Sequence, residues 1–432
     1  MEHVQISLAE ARHLAAETAT GLRRPPIRVP VARTLGSVLA TSVEALQSIP
    51  HAATSAMDGW AVSGAGPWTL LDGDESALSP ATPRPILGPG EAVAVVTGSP
   101  IPEGATSVLR SEHAHTEDVH ASGRRLLADP ASGDLATGRH VRAAGSEATA
   151  GEPLLRVGEL ITPARAAMAA VAGHDDLTVW QAPRVSLICT GDEVITTGLP
   201  APGQVRDAFE VSVPGAVNAM GAVMHRTSRV GDDVAALHRA LREAVSSDVE
   251  LILTTGGTAR SEADALRPAL AELGAEILID SVDMRPGHPV LLARLDQTLV
   301  LGLPGNPLAG FAALVALGMV VLDELRGLPD PAATGLRRHR VRAELTGARR
   351  GLRLMPVQTS PDGVGPVGHD NPHMMRGLAS AEAFALVPPG GIPAGGAADL
   401  LPLPWSTLGW PPGVDVTPDD EMTSERSRSW AD

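Results

Sequence analysis

The sequence contains no lysine and no tyrosine, a single cysteine (Cys189), and asparagine only at 218, 306 and 371. Each absence excludes something. All 34 basic side chains are arginine, so a phosphate loop of the G-x-x-x-x-G-K-[ST] type, which needs its lysine, is ruled out. One cysteine allows neither an internal disulfide nor a multi-cysteine zinc site, and it suits a reducing compartment. It lies inside the apolar run "VSLICTG", where it reads as a small buried hydrophobe. The serine elbow G-x-S-x-G is also missing. The wholesale use of arginine reads as the drift of a GC-rich genome, so an arginine or histidine in a lysine's place says little by itself about lost function.

Excess positive charge is lacking too. A net charge of −16 argues against non-specific binding to nucleic acid or to an anionic membrane, so an anionic ligand has to be met by local groups. The longest apolar stretch, "PLAGFAALVALGMVVL", falls short of the ~20 residues that span a bilayer and reads as a buried helix, with a subunit interface as one setting. The first residues, "MEHVQISLAEARHLAAE", have neither the basic nor the apolar region of a signal peptide, and a cytoplasmic protein is expected.

What is present is a globular balance, 44% hydrophobic and 19% charged. The 432 residues give room for two to four domains at roughly 100 to 200 residues each. Residues 1–48 and 149–180 carry helical periodicity and are expected to form one helical region. Between them, 49–148 is broken by Gly, Pro, Ser and Asp into short apolar runs, which predicts an inserted β-rich domain. Residues 181–328 alternate strand and helix patterns, which predicts an α/β domain with a parallel sheet covered on both faces. Residues 329–406 return to a β-rich pattern that fits a small barrel or sandwich, and 407–432 read as a disordered tail. No repeat of 20 to 50 residues is evident, which excludes solenoids and propellers.

In the α/β part three apolar runs, "VSLICTG", "LILTTGG" and "TLVLGLPG", each end in a glycine turn. Ligands of an open parallel sheet bind beyond the carboxyl ends of its strands, so these turns are expected to share a rim. They bring Thr190, Gly191, Asp192 and Glu193, then Gly256, Gly257, Glu262 and Asp264, then Gly305 and Asn306; Asp232 and Asp233 of "RVGDD" join them. Glycine turns at helix starts offer backbone donors to phosphate, whereas carboxylates repel it unless a hard cation lies between. Mg2+ binds through one or two carboxylates plus substrate phosphates, so a phosphoanhydride with Mg2+ reconciles the two, with Glu193 and Asp264 as its protein ligands. The plainer alternative makes Asp192 and Asp232 helix caps and Glu262 a solvated acid.

Two further groups stand in the β-rich insertion. "SAMDGWAV" with Asp58 and "VVTGSPIPEGA" with Thr97 and Gly98 read, one at a time, as plain turns. The histidines of "SEHAHTEDVH" (His113, His115, His120) offer metal ligands, but their acid-rich setting favours a solvated hairpin.

In order, "SAMDGWAV", "TGSPIPEGA", "CTGDEV", "TTGG" with "EAD", "RPGHP" and "LPGNP" resemble the molybdopterin molybdenumtransferases, the molybdenum cofactor enzymes whose fold recurs in the gephyrin E domain. The resemblance covers about residues 5–405. It implies an elongated homodimer of four domains, ending in a C-terminal β-barrel, with a cleft between the α/β domain of one subunit and the inserted domain of the other. It implies that adenylylated molybdopterin and molybdate are substrates, that AMP is released, and that a molybdopterin adenylyltransferase acts upstream. By position Asp58, Glu193, Asp232 and Asp264 match the family's functional acids and Thr97 its threonine. Glu147 falls where the family has aspartate.

The departures cluster. In the turn Gly256-Gly257-Thr258-Ala259-Arg260-Ser261 an alanine replaces the family's serine and a serine its last glycine. Arg285 and His288 replace the lysines of K-P-G-K-P, Ala309 replaces a serine and Phe209 an asparagine. An imidazole, with an ordinary pKa of about 6.5, is not reliably charged at pH 7. Two expectations follow: an active enzyme in which Arg260 and Arg285 replace the missing cations, or a divergent paralogue that carries molybdopterin or its nucleotide as a scaffold. A generic Mg2+-dependent phosphate hydrolase on the same sheet leaves the order of the motifs unexplained.

Overall fold

The computed structural model describes residues 5–71, 85–119, 123–258, 264–329 and 336–406. His120, Arg260, Glu262 and the expected tail from 407 lie outside them. Contacts divide the chain into two units, one of residues 1–41, 157–166 and 176–432, the other of 42–156 and 167–175.

The chain enters through α1 (Leu8–Thr20), started by a capping box. Glu10 N donates to Ser7 Oγ at 3.2 Å and Ser7 N to Glu10 Oε2 at 2.8 Å. The second unit is built on six strands, β1 (Gly59–Val62), β2 (Trp68–Leu70), β3 (Glu91–Val95), β4 (Ser107–Arg110), β5 (Ala114–Val119) and β6 (Gly123–Ala128). They lie in the order β4-β1-β3-β2-β6-β5, antiparallel except for β2 beside β3. The side chains of this sheet pack in two small clusters, one around Ala61, Val93 and Val108, the other around Trp68, Leu109 and Leu126, and a further cluster of the unit gathers Ala45, Ile49, Ala148 and Ala172.

The first unit centres on six strands, β7 (Arg184–Cys189), β8 (Val223–Arg229), β9 (Leu251–Thr255), β10 (Glu276–Ile279), β11 (Leu291–Leu295) and β12 (Thr298–Leu303), in the order β8-β7-β9-β12-β11-β10. The parallel sheet expected from the sequence is mixed. Strands β8, β7, β9 and β12 run parallel, while β11 pairs antiparallel with β12 and β10 antiparallel with β11, so that β11 alone is reversed in this sheet. The reason is local. Only two residues, Asp296 and Gln297, separate β11 from β12, too few for a crossover, and Asp296 takes the left-handed conformation (φ 54°) that a tight hairpin demands.

Strand residues alternate between the two faces of this sheet. Val185, Leu187, Cys189, Leu251, Leu253, Leu299 and Leu301 pack with α1, with α2 (Val213–Ala219) and with the helical run Pro307–Leu325, called α5 below. Ile188, Ile252 and Val300 pack with α3 (Val234–Ser246) and α4 (Leu266–Glu272). The long apolar run is therefore a core helix of this unit, most of it buried, with a π turn at Leu314–Gly318. Arg12 of α1, itself buried, donates from NH1 to Ala316 O at 2.8 Å within that turn. Cys189 is buried as expected, and burial pushes its thiol pKa up.

The C-terminal part adds β13 (Arg337–Arg340), β14 (Leu352–Ser360), β15 (Gly363–Pro366), β16 (Ala383–Val387) and β17 (Ala397–Pro402), in the order β14-β16-β17-β13 with β15 on the other side of β14. A single bridge from Val341 to Val364 links the end of β13 to β15.

Candidate active site

The carboxyl ends of β7, β9 and β12 lead into the three glycine turns, and all three turns line one cavity of about 760 Å³. Gly191, Gly256 and Gly257 have φ of 116°, 80° and 63°, which opens these turns at no steric cost. The turns also touch one another. Thr190 Oγ1 donates to Thr255 O at 2.5 Å, and Gly256 N to Leu303 O at 3.0 Å. A Cβ on Gly256 would come within 2.9 Å of Thr190 Oγ1. Asn306 stands at the N-cap of α5 without using its side chain there and lines the cavity instead. The positive end of that helix dipole adds to the field offered to an anion.

Of the expected acids, Glu193 and Asp232 line this cavity. Asp232 Oδ2 accepts from Asp192 N at 3.1 Å, which ties the β7 turn to the β8 turn. The cap expected at Asp232 is instead Asp233, whose Oδ2 accepts from Ala236 N at 2.8 Å at the start of α3. Asp192 caps no helix either. Among the described residues neither Glu193 nor Asp232 is ion-paired. Two exposed carboxylates beside backbone donors fit a hard divalent cation of the Mg2+ type.

Asp264 fits less well. It is not among the residues lining the cavity, its side chain is 5% exposed, and Arg267 NH1 holds its Oδ2. Its Oδ1 accepts from Leu266 N at 3.1 Å. Arg285 and His288 also stand off the cavity lining, beside Pro289, which is part of it. Arg285 NH1 donates to Met284 O. His288 is exposed as a residue, but partial burial of its ring, and after that Arg285, lower its pKa below the ordinary imidazole value.

Three lining residues carried no site signal in the sequence, Arg206, Asp207 and His373, while Phe209 lines the cavity at the position where the resemblance put an asparagine. Asp207 organises the wall by accepting from Phe209 N at 2.6 Å and Glu210 N at 3.0 Å, and it pairs with Arg229. Ligand atoms of Cys189, Asp207 and Glu210 lie within 4.8 Å of one another, but Arg229 bonds both carboxylates, so the cation among them is a guanidinium. His373 arrives from the C-terminal part on a loop fixed by Arg353 NH2 to Asp370 Oδ2 at 2.7 Å and Ala309 N to Pro372 O at 3.3 Å. No local pattern marks a residue that reaches a site from so far along the chain.

Asp58, Thr97 and Gly98 belong to the other unit. Asp58 Oδ1 accepts from Thr97 N at 2.7 Å and Thr97 Oγ1 at 2.9 Å, which lowers the carboxyl's pKa. Both residues are exposed. Gly98 (φ 85°) donates from N to Ser55 O and so lays the second turn along the first. The solvated hairpin expected for the histidines holds for His115 and not for His113. His113 is drawn onto buried Asp134, and His120 lies outside the described residues.

Comparison with known proteins gives the same picture over most of the chain. Residues 6–173 match the family described as "MoeA N-terminal region (domain I and II)" and residues 186–326 the "Probable molybdopterin binding domain". "Molybdopterin molybdenumtransferase 2" of Mycobacterium tuberculosis is 33% identical over 405 residues, covering 88% of this chain and 95% of that protein. "Molybdopterin molybdenumtransferase" of Synechococcus elongatus is 32% identical over 302 residues, 65% of this chain and 71% of its own length. The crystal structure of the molybdopterin biosynthesis moeA protein from Pyrococcus horikoshii has the same fold, with a TM-score of 0.72 at 18% identity over 92% of this chain and 100% of that one.

Proposed function

The chain belongs to the molybdopterin molybdenumtransferase family, and from that premise we propose that it performs the metal-insertion step of molybdenum cofactor biosynthesis. Its substrates are then adenylylated molybdopterin and molybdate. Water attacks the molybdopterin phosphorus of the phosphoanhydride, the bond to the AMP phosphate breaks, and AMP leaves with the bonding electrons; the two dithiolene thiols bond to molybdenum, and their protons leave with one molybdate oxygen as water, with no change of oxidation state.

The observation that carries this reading is the convergence on one cavity of three glycine turns and two carboxylates that have no ion-pair partner among the described residues. Backbone N–H groups of the turns and the start of α5 take the charge that develops on phosphate oxygens. Glu193 and Asp232 are the groups that would hold Mg2+, which when bound neutralises the phosphates. Asp264 joins them only if Arg267 turns wholly to Asp280, its other partner at 2.8 Å. Among the described residues Arg206 is the arginine that lines the cavity, and it takes the oxyanion contact that His288 gives up. The Arg260 side of that role lies outside the described residues.

Asp58 and Thr97 act in the same reaction from the inserted unit, in a homodimer whose subunits share the cleft. In this reading the C-terminal strands form a barrel, which the Val341–Val364 bridge supports, and the enzyme works in the cytoplasm after a molybdopterin adenylyltransferase.

The lowered pKa of His288 and Ala309 in a serine's place favour a second reading, a carrier that binds the pterin nucleotide without inserting metal. Incubating the protein with Mg2+, molybdate and adenylylated molybdopterin separates the two. Molybdate-dependent AMP release with formation of cofactor is expected. Tight pterin binding without it establishes the carrier.

A further inference from the structure

Asp134 is a loop carboxylate, yet it is 1% exposed. Its Oδ1 accepts from His140 Nε2 at 2.9 Å and Arg110 NH2 at 3.2 Å. Its Oδ2 accepts from Arg110 N at 3.3 Å and Arg110 Nε at 3.0 Å and lies 3.0 Å from His113 Nδ1. An ionised carboxylate has no proton to give, so His140 Nε2 carries its hydrogen toward it, while His113 Nδ1 stands 3.0 Å from both Asp134 Oδ2 and Arg110 NH2. Burial alone would push this carboxyl's pKa up; the bonds from Arg110, His140 and His113 outweigh that and hold it below the ordinary carboxylate range.

The donors come from two separate segments, and those segments flank the turn that bears Asp58. On one side Arg110 stands opposite Gly59 in the β1–β4 ladder, and Ser111 N donates to Asp58 O at 3.1 Å. On the other side Ala56 N donates to His140 O at 2.8 Å, while Val141 and Arg142 pair with Ser55 and Thr54. The turn sits directly on β4, since a Cβ on Gly59 would lie 2.1 Å from Leu109 O. His140 holds a left-handed backbone (φ 59°), uncommon for a residue with a side chain. Farther out, Val108 N to Arg139 O at 3.0 Å also joins the two segments; beside Asp58 the link between them is Asp134.

We propose that Asp134 is a positioning residue, a buried cross-brace that joins Arg110 and His113 to His140 and thereby fixes the Asp58 carboxylate against Thr97. The inference rests on the reading of Asp58 as a functional acid and adds to it the groups that set its place. A carboxylate displaced by a fraction of an ångström to about 1 Å loses up to roughly a hundredfold in rate, so the brace acts on turnover without touching substrate.

The test compares His140→Gln, which keeps a donor, with His140→Leu, which does not, in the full chain. His140→Leu is expected to lower kcat for AMP release by roughly tenfold to a hundredfold with little change in KM, and His140→Gln to stay near the parent. Hydrogen exchange gives a second reading that needs no turnover: the Thr97 amide, which donates to Asp58 Oδ1, exchanges faster in His140→Leu and not in His140→Gln. If His140→Leu does not fold, Arg110→Gln against Arg110→Leu makes the same comparison. Equal behaviour of the donor and non-donor variants in both measurements overturns the brace. Asp58→Asn is run beside them. Loss of turnover there with an unaffected His140→Leu rejects the brace and leaves Asp58 standing, whereas full turnover in Asp58→Asn removes the reading of Asp58 and the brace with it.

Discussion

Asp264 and Arg267 are joined by an ion pair at the start of α4, and Arg267 goes on to Asp280 Oδ1 at 2.8 Å and Thr258 O at 3.0 Å. The pair spans the glycine turn at its buried edge, and it decides whether Asp264 is free to serve a metal. Arg267→Met is expected to destabilise the protein by about 3 kcal/mol, because it leaves a shielded carboxylate uncompensated. If Asp264 is a metal ligand, millimolar Mg2+ raises the denaturant midpoint of Arg267→Met and does not raise that of Arg267→Met/Asp264→Asn. An Mg2+ response equal in the two variants removes Asp264 from the metal site.

The turns were legible in the sequence because a parallel strand, a glycine turn and a following helix leave a local trace. "VSLICTG", "LILTTGG" and "TLVLGLPG" each announce where their strand stops, and the sheet does the rest by bringing their ends together. The reversed strand β11 was missed because an apolar run gives no direction, and the Asp296–Gln297 turn is too short to stand out. Contacts between distant segments left no trace at all. His373 reaches the cavity from the C-terminal part, Arg229 neutralises Asp207, and Asp134 gathers Arg110, His113 and His140. A residue's partner across the fold is set by packing, which no short window contains.

Asp323 on α5 gives a pH dependence with a definite sign. Its side chain is 15% exposed, and burial pushes its carboxyl pKa up to about 6 from 3.8 against the pull of Arg326 and Arg12. Because the folded value lies above the unfolded one, the protonated form favours folding. Its contribution is full below pH 3.8 and is lost as pH rises through about 6. Urea midpoints measured from pH 4 to pH 7 should show this decline as one component in the parent and lack it in Asp323→Asn. An identical slope in both proteins would mean that Asp323 stays ionised throughout.

His288 gives ligand binding a pH dependence of the same sign. Partial burial and Arg285 disfavour its charged form, so it supplies a cation only on the acid side of its ordinary range. Affinity for molybdate is expected to rise as pH falls below about 6.5, and His288→Lys is expected to remove that rise while tightening binding at pH 8. Competition calorimetry with molybdate at the two pH values checks it. A His288→Lys variant with the parent's pH dependence would show that this position does not face the oxyanion.

Phe209 and Gly310 are coupled by shape. Phe209 lines the cavity and stacks on Phe311, with ring centroids 5.9 Å apart and planes 23° apart; Trp405 meets Phe311 edge-on at 5.6 Å. A Cβ on Gly310 would come within 2.6 Å of the Phe209 ring and 2.9 Å of Pro304 O. Gly310→Ala should therefore force the ring, or the turn that carries Asn306, to move, at a cost of about 1–3 kcal/mol. Phe209→Asn loses the stacked ring and leaves a hole beside Phe311, costing about 3 kcal/mol. In Phe209→Asn/Gly310→Ala the ring is gone, so the second change is expected to cost less than it does alone. A double-mutant cycle by denaturant unfolding measures this coupling, expected at about 1 kcal/mol. Strict additivity would mean that the alanine is resisted by Pro304 O and not by Phe209, which would leave the ring free to shift when a ligand enters.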